Sequence, residues 1–120
     1  IYSQTAEQQY YPYIRPQENG TKSDVRKWIQ TNDKGLGLCI NSNNLFYASA
    51  LHYAINDLDD GTEKDQRHSP DIPKSKYTNL CIDGDEMGVG GTNSWGAWPL
   101  EKYRLHYQDR EFNFWLSAVK

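Results

Sequence analysis

The sequence GDEMGVGGTNSWG occupies residues 84–96, and the rest of the chain is organised around it. Four of its first eight residues are glycines, at positions 84, 88, 90 and 91. Glycine reaches backbone conformations that other residues cannot adopt, so this segment can turn tightly or let a ligand approach its backbone closely. A large aromatic residue, Trp95, follows the glycines. The segment therefore combines a conformationally free backbone with one bulky apolar side chain.

Two interpretations of Trp95 follow from these residues. In the first, a shaped loop presents the indole as a flat apolar platform for a ligand such as a sugar ring. In the second, the indole fills the end of a β-core and the glycines only permit the turn. Buried positions are the more common place for large aromatic side chains. The residues alone leave both interpretations open.

The composition indicates one domain built from strands. A chain of 120 residues can bury one core, and its nine tyrosines and four tryptophans favour strands over helices. Acidic residues number 16 and basic residues 13, with no basic stripe to neutralise phosphates, which argues against nucleic acid as a partner. No apolar run approaches the roughly 20 residues that cross a bilayer, so no membrane partner is predicted.

Strands separated by turns recur about every ten residues, as in an antiparallel β-sandwich. The sequence therefore predicts an all-β fold. The two prolines in residues 10–16 restrict that piece to an edge strand or an extended connection. Turns are predicted at 32–35 and 41–44, and an exposed loop over 57–73, with a helical turn or a meandering edge over 53–60. Strands are predicted at residues 24–31, 36–40, 45–51 and 77–82, and a closing hairpin at 102–107 and 111–119.

Several short features bear on processing and cross-links. The chain begins with Ile1, so we expect a processed product or a domain of a longer chain. Residues 19–21 read Asn-Gly-Thr, which fits the N-glycosylation pattern but predicts a turn first. Cys39 and Cys81 lie far apart and have no neighbour at metal-ligand spacing, so no zinc site is predicted. Two buried free thiols are the default, and a disulfide between them stays open.

The polar residues do not form a catalytic constellation. Glycoside hydrolysis needs two carboxyl groups about 5–9 Å apart, one of them kept neutral in an apolar niche. Neighbouring acids on a surface loop seldom meet that demand, and no histidine has a partner at metal spacing. We therefore predict no catalytic residue and no metal ligand in this chain. The candidates considered are Asp57, Asp59, Asp60, Asp83, Asp85, Glu86, His52, His68 and His106.

Three segments together resemble a known family. They are YIRPQENG at residues 13–20 with DVR at 24–26, FYASALHY at 46–53 with DL at 57–58, and DGDEMGVGGTNSW at 83–95. In this order they resemble the C-terminal domain of the large bacterial β-galactosidases of glycoside hydrolase family 2. The resemblance runs from about residue 10 to the C-terminus, and the third segment is the most specific.

The resemblance implies a fold and a set of domains. Residues 10–120 would be the C-terminal portion of the fifth, small-chain domain of such an enzyme, which is a galactose-mutarotase-like antiparallel β-supersandwich. Residues 1–9 are polar and lack periodicity, and they are predicted to be a leader. The parent would be a retaining enzyme that hydrolyses terminal β-D-galactosides with glutamates on a (β/α)₈ barrel of the same chain. The isolated chain would be inactive.

The resemblance also implies site residues and partners. Trp95 would reach into the active-site cleft and pack against the sugar, with Asn93 and Ser94 beside it. The Mg and Na of the family would be bound by other domains, so no cofactor is expected here. The partners would be the β-galactoside substrate, the barrel, and further copies of the parent in a homo-oligomer. Trp98 departs from the family pattern and bears on the preferred aglycone.

Two other functions remain to be compared with this one. The domain could be a stand-alone carbohydrate-binding module that holds galactosides on Trp95 and Trp98. It could instead be purely architectural, supporting the barrel or the oligomer, with Trp95 inside the sandwich.

Overall fold

A computed structural model describes residues 1–12, 19–59, 68–87 and 96–120. Most of the regular structure is antiparallel sheet with a few short helices, which confirms the predicted all-β sandwich class. The strands form one sheet in the order β1-β2-β3, and β4 also pairs with β2. Two 3₁₀-helices cover Ser69–Asp71 and Glu101–Tyr103. The other elements are α1 (Ala6–Gln9), β1 (Lys22–Thr31), β2 (Gly37–Leu51), α2 (Ile55–Leu58), β3 (Asn79–Asp83) and β4 (Phe114–Val119).

The chain forms two compact units. The first contains Ile1–Ser23 and Ala48–Ile82, and the second contains Asp24–Tyr47 and Asp83–Lys120. The strand β2 contributes residues to both units, because its last four residues belong to the first unit and the others to the second. In the described part of the chain, no helix is both long and apolar enough to cross a membrane.

The predicted hairpin between the first two strands is confirmed. Asn32 closes its turn, because Asn32 Oδ1 accepts hydrogen bonds from the backbone N–H groups of Lys34 at 2.9 Å and Leu36 at 3.1 Å. The backbone N–H of Asn32 also donates to the Leu36 carbonyl at 2.9 Å. Gly35 has φ 79°, a left-handed conformation that glycine adopts without a steric penalty. These contacts require β1 and β2 to run antiparallel.

The turn predicted at residues 41–44 is wrong, since β2 runs without a break from Gly37 to Leu51. The strand β4 pairs with its first part, where Asn41 lies opposite Trp115 and Ser42 opposite Phe114. The Ser42 hydroxyl donates to the Asn113 carbonyl at 2.8 Å, which extends the pairing beyond β4. Residues that favour a local turn are thus held extended by a partner strand more than 70 positions away, because cross-strand pairing outweighs local preference.

The closing hairpin predicted for 102–107 and 111–119 is also wrong. Only its second half forms a strand, and that strand pairs with β2, in a register from Gly37 opposite Val119 to Ser42 opposite Phe114. The first half contains a 3₁₀-helix, followed by Arg104 in an extended conformation and by residues outside the sheet. Arg104 explains the difference, because its Nε donates to the Pro99 carbonyl at 2.7 Å and folds this segment onto itself.

The core of the first unit contains Leu51, Tyr53, Leu58 and Ile72. The ring of Tyr10 stacks on that of Tyr53 with centroids 4.2 Å apart. Leu58 is fully buried on α2, which confirms the helical turn predicted there and contributes about 1.5–3 kcal/mol. Leu58 and Ile72 both fall within residues 57–73, so the prediction of an exposed loop is wrong at its two described ends. Apolar side chains at those ends attach the segment to the core.

The N-terminal residues are ordered by local hydrogen bonds. Thr5 caps α1 in a capping box with Gln8, in which each side chain accepts from the other residue's backbone N–H. Two of the unpaired N–H groups at the start of the helix are thereby satisfied. On α1, Ala6 and Gln9 are buried, whereas Glu7 is exposed and pairs with Lys74. Residues predicted to be a polar leader thus include a capped helical turn.

Asn19 joins two separate pieces of backbone. Its side chain is buried, accepts from the Tyr11 N–H at 2.9 Å and donates to the Tyr11 carbonyl at 2.6 Å. The predicted turn at 19–20 is confirmed, and Gly20 has φ 74°. Because the Asn19 side chain is buried and bound to the Tyr11 backbone, we interpret residues 19–21 as a structural turn.

The second unit combines buried and exposed apolar residues. Ile40 and Phe46 on β2 are fully buried, whereas Phe114, Trp115 and Leu116 on β4 are exposed. Exposure on successive residues means that both faces of β4 carry open apolar surface.

Cys39 and Cys81 are free thiols, so the default prediction is confirmed for their redox state, although only Cys39 is buried.

We predict that Gly37→Ala disrupts the hairpin. A Cβ at this position would lie 1.8 Å from the Gln30 carbonyl oxygen, so β1 and β2 must separate. The cost is about 2 kcal/mol or more, by analogy with other overpacked sites. Lys34→Ala, in the exposed turn of the same hairpin, is the control. In the full-length protein, thermal unfolding should begin at a clearly lower temperature for Gly37→Ala only. Equal unfolding temperatures for the two variants would contradict the close approach.

We also predict an acid-sensitive contribution from the Glu7–Lys74 pair. The hydrogen bond from Lys74 holds the pKa of Glu7 below its usual value of 4.5. A lowered pKa in the folded state adds stability that is present at neutral pH and is lost as the pH falls through the folded-state value. The difference in unfolding temperature between the native protein and Glu7→Gln should therefore shrink below pH 4.5. A difference that grows on acidification would refute this account.

Candidate functional site

The glycine-rich segment leaves the sheet at the end of β3 and provides the candidate site. The described residues of the segment and its flanks are 84–87 on one side and 96–100 on the other. The three predicted substrate-binding residues, Asn93, Ser94 and Trp95, lie outside the described residues. The site is therefore built here from the two flanks and from the residues that contact them.

Gly84 and Phe112 form the base of this loop. Gly84 directly follows β3, and Phe112 lies two residues before β4. A Cβ at position 84 would lie 2.8 Å from Phe112 Cγ and 3.1 Å from its Cβ, so the phenylalanine occupies the space that any other side chain would need. The ring of Phe112 also packs against that of Phe114, with centroids 5.5 Å apart. A glycine is required here by close packing rather than by an unusual φ.

An ion pair lies beside this base. Arg110 Nη1 binds Asp85 Oδ2 at 2.5 Å, and the two side chains are 37% and 57% exposed. Solvent screens such a pair, so it contributes about 0–1 kcal/mol. The ion pair mainly fixes the position of the chain. Together with the Gly84–Phe112 contact, it holds residues 84–85 against residues 110–112. The chain therefore leaves the sheet and returns to it at one place.

The downstream flank presents a second tryptophan. Gly96 has φ 93° and turns the chain, and Pro99 is buried. Between them Trp98 is exposed, and the Arg104 guanidinium lies over its ring at 5.4 Å from the centroid. Arg104 is itself held by Glu101, with an Nη1 to Oε2 distance of 2.9 Å. A cation over an aromatic face is attracted by the ring quadrupole.

Glu101 bridges two basic side chains. While its Oε2 binds Arg104, its Oε1 lies 2.9 Å from His106 Nε2. The three residues and Trp98 form what we call the Trp98 cluster: Trp98, Glu101, Arg104 and His106. Both oxygens of the Glu101 carboxylate thus have a partner within this cluster, which fixes the position of the Arg104 side chain.

None of the described carboxylates that were considered from the sequence is buried, as the acid of a catalytic pair would be. Asp57 and Asp59 belong to the first compact unit, and Asp83 and Asp85 to the second. Asp85 is exposed and bound to a guanidinium, which is the opposite of the apolar niche that a general acid requires. Asp60 lies outside the described residues. Among the residues that the structure describes, no three His, Cys, Asp or Glu side chains come together to hold a metal ion.

The backbones of two candidate histidines are hydrogen-bonded. The backbone carbonyl of His52 accepts from the Ser75 N–H at 2.7 Å, and the backbone N–H of His68 donates to Asp71 Oδ2 at 3.0 Å. The role of His106 was missed by the sequence analysis, together with those of Arg104 and Phe112. For the contact made by Phe112, the one signal in the sequence was Gly84, a glycine placed directly after a strand. Asp85 and Arg110 are 25 positions apart in the sequence, so no local pattern could have predicted their contact.

Comparison with known proteins identifies similar chains. Residues 1–116 match the family described as Beta galactosidase small chain. The chain is 33% identical over 112 residues to a beta-galactosidase of Priestia megaterium, covering 93% of this chain and 10% of that protein. It is 33% identical over 109 residues to the beta-galactosidase BgaC of Bifidobacterium adolescentis, covering 88% and 10%. A beta-galactosidase of Staphylococcus xylosus is 33% identical over 107 residues, covering 89% and 10%. The chain thus spans about one-tenth of the length of these relatives.

We predict that Gly84 and Phe112 are energetically coupled. Gly84→Ala places a methyl group 2.8 Å from Phe112 Cγ and should destabilise the domain. The expected cost is about 1–3 kcal/mol. In a Phe112→Ala background the ring is absent, so the same change should cost clearly less. Thermal unfolding of the two single variants and the double variant of the full-length protein measures the coupling. Additive shifts would show that the two residues do not share this space.

Proposed function

Because the chain belongs to the β-galactosidase small chain family, we propose that it is one domain of a retaining β-galactosidase that hydrolyses terminal β-D-galactosides. The match of residues 1–116 to the family carries this proposal. Three relatives of 33% identity that bear the name beta-galactosidase support it. Since the chain spans about one-tenth of each relative, most of such an enzyme would lie outside it.

We propose further that the catalytic groups lie in that other part. Retaining glycosidases use two carboxyl groups about 5–5.5 Å apart, one of them an acid and the other a nucleophile. Within the described residues, Asp85 is occupied by Arg110, and Glu101 by Arg104 and His106. Neither carboxylate lies in the apolar niche that a general acid requires, since both are largely exposed. The glutamates would come from the barrel of the parent, and Mg and Na would bind in the other domains.

The contribution of this chain to the site would be substrate binding by Trp95, with Asn93 and Ser94 beside it. The base contact between Gly84 and Phe112 supports this role, because it anchors the loop that carries these residues at the edge of the sheet. An anchored loop loses less conformational freedom when a ligand binds. Stacking a sugar on an indole buries apolar surface, which contributes roughly 25 cal/mol per Å².

Exposed apolar surface on β4 supports a proposal for the other partners, which are the barrel and further copies of the parent protein. Phe114, Trp115 and Leu116 expose apolar area on both faces of β4. Adjacent exposed aromatic residues of this kind mark surfaces that another part of a protein covers. The catalytic barrel and the other parts of the same polypeptide would supply that cover, and further copies would assemble a homo-oligomer.

We predict that Trp95→Ala in the full-length protein raises KM for lactose and for an aryl β-galactoside. The expected increase is about tenfold, because the lost stacking surface would hold the substrate before and during the reaction. Trp95→Phe keeps a flat ring and should retain much of the affinity. The control is Tyr107→Ala, a fully exposed residue of the same compact unit. If Trp95→Ala left the kinetics of both substrates unchanged, Trp95 would not contact the substrate.

A further inference from the structure

Residues 5–11 lie against the core of the first compact unit, and we call them the N-terminal strap. Ala6 and Gln9, one turn apart on the helix of this strap, are both buried. The ring of Tyr10 stacks on that of Tyr53, with centroids 4.2 Å apart, and packs against the hydrophobic core. The strap and the core residues belong to the same unit. Apolar contact thus attaches the strap at its middle.

Hydrogen bonds attach the strap on either side of these apolar contacts. Near its start, Glu7 Oε1 accepts from Lys74 Nζ, and solvent screens this pair because both side chains are more than half exposed. At its end, the Tyr11 N–H donates to Asn19 Oδ1 at 2.9 Å, and the Tyr11 carbonyl accepts from Asn19 Nδ2 at 2.6 Å. The buried Asn19 amide thus pairs with Tyr11 as a backbone peptide group would pair within a sheet.

The helix of the strap depends on these attachments. The helix α1 has four residues, and isolated helices shorter than about 12 residues are marginal in water. The capping box of Thr5 and Gln8 satisfies N–H groups within the strap itself, so it orders the helical turn locally. The turn is therefore stable only while the strap lies on the core. Helix formation and attachment are coupled, so the strap attaches and detaches as one body.

One buried group in the strap opposes its attachment. Gln9 is 8% exposed, and its Oε1 has no hydrogen-bond partner among the described residues. That oxygen would accept hydrogen bonds in water, so burying it without a partner weakens attachment. The Gln9 backbone also comes close to the unit, because a Cβ on Gly20 would lie 2.8 Å from the Gln9 carbonyl oxygen. Gln9 is thus closely packed although its side-chain oxygen favours solvent.

We propose that the N-terminal strap opens reversibly as one body while the rest of the first compact unit stays folded, with the buried Gln9 oxygen setting how often it opens. The core residues Leu51, Leu58 and Ile72 come from later parts of the chain and pack on one another. Opening uncovers the ring of Tyr53, which is otherwise buried under Tyr10. This inference is independent of the proposed function, because it concerns contacts within one unit.

Hydrogen exchange of the full-length protein, followed by mass spectrometry, tests this opening. The backbone N–H groups of Gln8 and Tyr11 are hydrogen-bonded in the attached strap, so they are protected until it opens. We expect peptides that cover residues 5–11 to exchange at least about tenfold faster than peptides that cover β2. Low concentrations of urea should accelerate exchange in β2 far more than in the strap, because the local opening exposes little surface.

Matched variants test which contacts control the opening. Gln9→Met keeps the length of the side chain and removes the unpaired oxygen, so exchange in the strap should slow by about fivefold. Gln9→Glu has almost the same shape but would bury a charge, so exchange should accelerate by about tenfold. Tyr10→Ala removes the aromatic stack and should also accelerate it by about tenfold. The control is Tyr77→Ala, an exposed residue of the same unit, which should leave exchange in the strap unchanged.

Each of three other results would overturn the inference. If the strap and β2 exchanged at the same rate and with the same dependence on urea, the strap would open only in global unfolding. If the strap were unprotected in the native protein, it would not be attached. If Gln9→Met and Gln9→Glu changed its exchange in the same direction, the buried oxygen would not control the opening. None of these results depends on galactosidase activity, so the proposed function is tested separately.

Discussion

The requirement that the backbone groups of β2 be hydrogen-bonded shapes the rest of this domain. A buried strand with unpaired N–H and C=O groups is too costly to persist. The strand Gly37–Leu51 meets the requirement through its hairpin neighbour β1 and through β3 and β4, which come from later parts of the sequence. Its buried residues, among them Ile40, Phe46 and Leu51, add apolar burial to the same strand. The predicted turn at 41–44 does not form because β4 supplies a ladder partner for Asn41 and Ser42.

Because β3 and β4 both pair with β2, the two ends of the chain segment that joins β3 to β4 lie close together. The chain leaves the sheet at Gly84 and is back beside the same point at Phe112, where the absence of a Cβ lets the two residues touch. The ion pair between Asp85 and Arg110 adds alignment but little stability, since both groups are partly in solvent. A loop fixed at its base can vary in sequence without disturbing the sheet.

The two flanks of this loop follow different physical rules. At the base, close packing of a glycine against a phenylalanine leaves no room for another side chain. On the downstream flank, Trp98 is left open and is supported from behind by Arg104. Neither flank offers a carboxyl group in an apolar niche. This division is compatible with the binding role proposed for the domain.

The sequence by itself determined the fold class, the family and the hairpin between β1 and β2, because alternating residues, the Asn-Asp-Lys-Gly turn and short motifs are local signals. It also marked the glycine-rich segment as the candidate site, although the positions of Asn93, Ser94 and Trp95 lie outside the described residues. Only the tertiary structure decided that β2 is continuous, that β4 pairs with β2 instead of with residues 102–107, and that Arg104 supports Trp98. The physical reason is the same in each case. These outcomes depend on contacts between residues that are distant in sequence or on side chains folding back over a bend, and such contacts leave no periodic pattern to read.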